Sequence, residues 1–199
     1  MPEIILWLEG VDRSVFAFIN QSLANPVTDF IMPLVTLDLH LKIFYGAVLL
    51  ILLWRGDNRL RLSIILSLIV VLLTDQLSAA WLKSVFARPR PCHDLEVHLL
   101  VNCGSGFSLP SSHAANLFGQ AFFYRVVAPK SWIFLIPLAI VVALSRVFVG
   151  VHYPFDIMIG AALGTIIGHF VGVIFDKLFP RDRRGKEEKH IKLLDFKKK

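Results

Sequence analysis

Cysteine is scarce in this chain, at 2 of 199 residues, so it can form at most one disulfide. Charged side chains make up only 18% of the residues, fewer than a solvated surface of this length needs. No internal repeat or low-complexity stretch appears, and the length leaves no room for a large soluble domain beside a single folded unit. No positively charged region precedes the apolar opening MPEIILWLEG, where Glu3 and Glu9 are acidic. No cleaved signal peptide is therefore expected. Apolar side chains are what the chain has in excess. They reach 55%, with 16 phenylalanines and a mean hydropathy of +0.64. Soluble domains rarely reach that value, whereas a polytopic membrane protein does. So hydrophobic a chain is a poor partner for nucleic acid, and its net charge of +6 is not spread evenly. Residues 181–199 alone supply +5 of it.

The apolar pattern implies an all-α, polytopic membrane bundle. Residues 3–23 mix apolar side chains with Glu9, Asp12, Arg13, Asn20 and Gln21. They predict an amphipathic helix lying on a membrane surface, broken at Asn25-Pro26. Residues 27–38 are apolar but short. Residues 41–54 reach about 21 Å at 1.5 Å per residue, short of a hydrocarbon core of about 30 Å. Two short crossing helices fit these stretches better than one kinked helix. A polar turn follows at 55–61, then the clearest spanning helix at 62–86. Residues 84–112 read as loop. Further helices are predicted over 113–128, 131–149 and 154–178, the last stopped by Pro180. Gly160, Gly164, Gly168 and Gly172 recur every four residues on that last helix and predict close helix packing. The domain division is thus 1–26 for the amphipathic helix, 27–180 for the membrane domain and 181–199 for a basic tail.

The basic tail, the turn at 55–61 and the region around Arg125 and Lys130 mark the cytoplasmic side by the positive-inside rule. Threading the helices from there sends three polar strings to the opposite, outer face. The first is KSVFARPRP, with Lys83 and Arg90. The second is PSSH, with Ser111, Ser112 and His113. The third is SRVFVGVHYPFD, with Arg146, His152 and Asp156.

These residue types suit a phosphate. A monoester carries close to two negative charges near neutral pH. Arginine matches its oxygens with a planar fork, and lysine adds a mobile charge. Lys83, Arg90 and Arg146 can hold the dianion and the charge that develops in transfer. Ser111, Ser112 and the amides opening helix 113–128 add hydrogen bonds at a terminus that favours anions. Asp156, four residues after His152, can fix one ring nitrogen and leave the other free to attack phosphorus. His113 can protonate the leaving oxygen and later activate water. A metal site is disfavoured, because three cations would repel a divalent ion and His152 with Asp156 is the only close cluster of that kind.

The same strings resemble the signature of the type 2 phosphatidic acid phosphatase and vanadium haloperoxidase superfamily. Its pattern is K-x6-R-P, P-S-G-H and S-R-x5-H-x3-D. Lys83 with Arg90-Pro91, and Ser145-Arg146 with His152 and Asp156, hold those spacings. Ser112 departs, standing where the family usually has glycine, which points to a tighter or differently shaped pocket. The resemblance implies about six transmembrane helices and a hydrolase without metal or other cofactor. It implies that His152 is the nucleophile, Asp156 its partner and His113 the acid. Lys83, Arg90, Ser111, Ser112 and Arg146 would bind the phosphate. The implied partner is a membrane lipid carrying phosphate, met at the outer face of a bacterial inner membrane: phosphatidic acid, phosphatidylglycerol phosphate, undecaprenyl diphosphate or lipid A phosphate. The compact chain, without an added headgroup domain, leans towards undecaprenyl diphosphate. A lipid phosphotransferase using the same phosphohistidine, and a vanadate-dependent haloperoxidase, are the alternative chemistries.

Cys92 and Cys103 fall in the outer loop. They can pair if that loop meets an oxidising compartment, or stay free thiols if it does not. Asp75, inside helix 62–86, is expected to make a structural hydrogen bond between helices. His93, Glu96 and His98 are expected to be solvated loop residues.

Overall fold

The structure is a computed structural model that describes residues 3–181. The basic tail expected on the cytoplasmic side lies outside the described residues from 182 on. Among the described residues every regular element is helical. Helix α1 spans Glu3–Ala17 and runs into a π-helical turn at Phe18–Ser22. Asp12, Phe16 and Asn20 recur at helical spacing on its buried face, while Ile4, Leu6, Trp7 and Phe18 are exposed. The polar edge packs on protein and the apolar side faces outward, the reverse of a water-facing helix.

Asn25 ends this segment by capping the next. Its Oδ1 accepts from the amides of Val27 and Thr28 at 3.0 and 3.1 Å, and Thr28 Oγ1 accepts from the Asn25 amide at 2.9 Å. This reciprocal box, with Pro26 at the first helical position, starts α2 (Pro26–Thr36). Leu37 takes an extended conformation and separates α2 from α3 (Asp38–Arg55). The two helices meet at a bend of 54°.

Asp57 caps α4 (Asn58–Asp75) by accepting from the Leu60 amide at 2.8 Å. The rod continues through a π-helical stretch, Gln76–Leu82, into α5 (Lys83–Phe86). The spanning helix expected at 62–86 is therefore longer at its start. Ala87, with φ of 44°, ends it in the left-handed region. The following loop holds a single helical turn, α6 (Pro91–Asp94). Helices α7 (Ser112–Val127), α8 (Trp132–Phe148) and α9 (Pro154–Leu178) complete the bundle.

Three segments are long and apolar enough to cross a membrane: Asn58–Asp94, Pro129–Phe148 and Pro154–Leu178. A fourth is added if the bent α2–α3 pair forms one span. Helix α7, with 16 residues, runs for about 24 Å at 1.5 Å per residue and carries the most heavily buried surface of the bundle.

Helices α7 and α9 form the spine. Gly160, Gly164, Gly168 and Gly172 are all buried. A methyl group added at Gly164 would overlap the Ala115 carbonyl oxygen, and one at Gly168 would overlap that of Gly119. Only hydrogen at these positions lets the two backbones approach so closely. At one end of the spine, Arg59 ties three elements together. Its Nε donates to the Phe179 carbonyl at 2.6 Å, its Nη1 to the Val127 carbonyl at 2.8 Å, and its Nη2 pairs with Asp176. The three polar strings gather at the other end.

Candidate active site

The N-termini of α7 and α9 are locked to each other, because the Ser111 amide donates to the Asp156 carbonyl at 3.0 Å. Ser111 caps α7, its Oγ accepting from the Ala114 amide at 3.5 Å. Ser112 Oγ bonds Ser78 Oγ of the π-helical stretch at 3.0 Å. His113 is the next residue along α7, so the PSSH string meets the start of α9 directly.

The turn between α8 and α9 holds the second histidine. Gly150, with φ of 86°, reverses the chain; a side chain there would be strained and would press on the His98 carbonyl. The His152 amide donates to the Arg146 carbonyl at 3.2 Å. His152 is 1% exposed and Asp156 is 0% exposed. His152 Nδ1 faces Asp156 Oδ2 at 3.3 Å, and the same oxygen accepts from the Tyr153 amide at 2.8 Å. A carboxylate can only accept, so Nδ1 carries the proton and Nε2 keeps its lone pair. Burial lowers the His152 pKa to about 3, against the opposing pull of Asp156. The ring is therefore neutral near pH 7, the state in which it can act as a nucleophile.

The cations surround this dyad. Lys83 interacts electrostatically with Arg90, Arg146, Asp156 and Asp75. Arg90 Nε donates to the Gly106 carbonyl at 2.8 Å and its Nη1 to the Val151 carbonyl at 3.4 Å. Arg146 Nη1 donates to Thr36 Oγ1 of α2 at 2.6 Å. The three strings are thus linked through Ser111 and Asp156, Arg146 and His152, and Arg90 and Val151, while His113 lines the neighbouring cavity. The outer loop is closed by a disulfide between Cys92 and Cys103. His93 lies beside it, with donor atoms of the three side chains within 4.8 Å of one another, but the two sulfurs are bonded to each other.

Two charged residues were absent from the sequence expectation. Arg88 Nη1 pairs with Asp156 Oδ1 at 2.9 Å, and its Nη2 with Asp12 Oδ2 of α1 at 2.7 Å. Burial pushes the Asp12 pKa up, while the Phe155 amide and Arg88 draw it back. Arg88 sits inside the first string and could have been noticed there. Asp12 gave no local sign, since an acid on an amphipathic helix normally faces water. Nor is the outer loop merely solvated. His98 pairs with Asp29 at 3.0 Å, and its backbone is gripped on both sides by Asn20, whose Nδ2 donates to its carbonyl and whose Oδ1 accepts from its amide, each at 2.9 Å.

A cavity of about 690 Å³ opens beside the site. Ser112, His113, Asp75 and Lys42 stand at one end, Leu60, Ala128 and Ser131 at the other. Its walls are mainly apolar residues of α3, α7 and α8. Phe44 and Phe134 line it and are also exposed, so it reaches the lipid-facing surface. Tyr45, Ser67 and Gln120 form one hydrogen-bonded group across it, with Tyr45 Oη at 3.0 Å from Ser67 Oγ and donating to Gln120 Oε1 at 3.2 Å. Among the described residues the Asp75 carboxylate makes no hydrogen bond across helices. It faces the cavity instead, which corrects the structural role expected of it.

A membrane-embedded helical bundle with these motifs gathered at one end has the build of an integral membrane phosphoric ester hydrolase. The PAP2 superfamily profile matches residues 62–180, and the chain belongs to that superfamily. It is 29% identical to the lipid A 4'-phosphatase of Bacteroides thetaiotaomicron over 89% of this chain and 83% of that relative. It is 31% identical to the lipid A 4'-phosphatase of Porphyromonas gingivalis over 87% of this chain and 75% of that relative. Among solved structures, the transmembrane PAP2 type phosphatidylglycerolphosphate phosphatase from Bacillus subtilis superposes with a TM-score of 0.67. It is 25% identical and the match covers 88% of this chain and 89% of that one.

Proposed function

We propose that this protein is a metal-independent lipid phosphatase that works through a phosphohistidine on His152, with lipid A phosphate as its preferred substrate class. The observation that carries it is the meeting of the His152–Asp156 dyad, the α7 N-terminus and three cations beside an apolar cavity. Lys83, Arg90 and Arg146, with Ser111, Ser112 and the first amides of α7, hold the phosphate. His152 Nε2 attacks phosphorus as the bond to the lipid oxygen breaks, and His113 gives that oxygen its proton. His113 then takes a proton from water. The hydroxide attacks phosphorus, the P–N bond breaks, and inorganic phosphate leaves. Asp156 stabilises the imidazolium character of the ring throughout.

One acyl chain can enter the cavity, which runs along α7 for about 24 Å at 1.5 Å per residue, while the others stay in the bilayer. The similarity to two lipid A 4'-phosphatases over most of their length favours a phosphate monoester on a sugar headgroup over undecaprenyl diphosphate. Helices α3 and α7 join the long spans α4, α8 and α9 in the bundle, while α2 stays at the outer end, where Asp29 pairs with His98 and Thr36 with Arg146, and α1 lies in the interface on its exposed apolar side. Arg59, Arg125, Lys130 and the basic tail support a cytoplasmic far end in a bacterial inner membrane, with the site on the outer face.

The test is phosphate release by purified protein in detergent with EDTA present. Lipid A, undecaprenyl diphosphate, phosphatidic acid and phosphatidylglycerol phosphate are offered separately. Release from lipid A, abolished in His152→Ala, is expected. Full activity of His152→Ala would remove the nucleophile assignment, and loss of activity with EDTA would remove the metal-free chemistry. Release without an added alcohol acceptor excludes obligate transfer.

A further inference from the structure

We propose that Arg88 and Asp12 form a positioning pair that fixes Asp156, and through it His152, making helix α1 part of the catalytic apparatus. This rests on His152 being the nucleophile. Arg88 spreads one guanidinium across two carboxylates, at 2.9 Å to Asp156 and 2.7 Å to Asp12. Both acids are sealed from water, at 0% and 1% exposure. Asp12 Oδ1 also accepts from the Phe155 amide at 2.9 Å. Helix α1 therefore holds the first turn of α9 twice, once through the Phe155 backbone and once through Arg88. The guanidinium lies over the Tyr153 ring at 4.0 Å, and Phe16 of α1 packs edge-on against that ring at 5.4 Å. Lysine could not fill this place, because a point charge cannot address two carboxylates and stack on a ring at once.

The charges give the pair a purpose. Arg88 alone would cancel Asp156 and leave little negative charge to support His152 as it becomes an imidazolium. Asp12 restores one net negative charge to the group. Removing Arg88 should free Asp156 to hold a proton on His152 more firmly; removing Asp12 should loosen the geometry without freeing Asp156. The charged groups facing His152 are Asp156, Arg146 and Arg90, and none of them is altered in these variants.

The experiment compares Arg88→Met, Arg88→Lys, Asp12→Asn and the double variant in full-length protein, with phosphate release followed across pH. Arg88→Met should lower kcat about 100-fold, the size of a misplacement of about 1 Å, with KM little changed. Its acid limb should move up by about one pH unit, the lower end for a lost charge partner. Arg88→Lys should recover part of kcat and restore the acid limb. Asp12→Asn should lower kcat about tenfold, and the double variant should be no worse than Arg88→Met within about threefold, as for coupled neighbours. If Arg88→Met does not fold, the isosteric Asp12→Asn carries the test through its kcat and KM. Wild-type kcat in Asp12→Asn, or kcat and KM changing together with the acid limb unmoved in Arg88→Met, would overturn the proposal. An inactive His152→Ala in the same preparation separates that failure from failure of the nucleophile reading.

Discussion

Adding one methyl group at Gly164 should separate α7, which carries His113, from α9, which carries Asp156. The new Cβ would overlap the Ala115 carbonyl oxygen, and even the next atom, the Gly119 amide nitrogen, would stand only 2.8 Å away. Comfortable contact begins near 3.5 Å, so the spine must open by at least about 0.7 Å. Both neighbours are backbone, so no side chain can swing aside. Overpacking of this kind costs about 1–3 kcal/mol. The functional effect should be larger, because α7 carries His113 and α9 holds Asp156 at the end where Ser111 and Asp156 are joined. A displacement approaching 1 Å lowers turnover about 100-fold. Gly46→Ala is the control, since nothing lies within 4 Å of its added carbon. Phosphate release and thermal unfolding in detergent, followed by tryptophan fluorescence, read both effects. Gly164→Ala with wild-type kcat and melting temperature would refute the idea that the glycine contact sets the spacing of the site.

Stability should depend on His152 and pH in a defined direction. The group titrates at about 3 when folded and near 6.5 otherwise. Its contribution is complete above 6.5 and is lost as pH falls towards 3. The melting temperature should therefore fall less steeply from pH 7 to 4 in His152→Asn, and equal slopes would contradict this. Reducing the Cys92–Cys103 bond should destabilise the loop by up to about 3 kcal/mol for a ring of that size. It should also raise KM, because Arg90 is held there through Gly106; unchanged melting temperature and KM under a phosphine reductant would argue against it. Arg59→Ala should lower the melting temperature by loosening α4, α7 and α9 at the far end, while kcat stays at the wild-type value. A large loss of kcat at unchanged stability would contradict the separation of the two ends.

Much of the candidate site was legible because its motifs are written at short range. Lys83 and Arg90, the PSSH run, and Arg146 with His152 and Asp156 each fall within eleven residues, across one helix end and the turn beside it. The glycine ladder on α9 was equally local, since one face of one helix repeats every four residues. Long-range pairings were not legible. Asp12 looked like the polar edge of a surface helix, and only folding reveals that Arg88 waits opposite. Asp75 shows the same limit: an acid inside a spanning helix asks for a partner, but sequence does not say whether a helix or a cavity meets it. Membrane crossings were hard to count for a different reason. The stretches at 26–55 are individually short, and the bend at Leu37 depends on packing that no hydropathy window contains.

The lateral mouth between Phe44 and Phe134 has a consequence for kinetics. If lipid reaches His113 along that route, it diffuses within the membrane plane and never crosses bulk water. The relevant concentration is then the mole fraction of substrate among lipids and detergent. Adding inert detergent should slow the enzyme at fixed total substrate, whereas adding buffer should not. Rates for this protein are therefore comparable between laboratories only at matched surface composition.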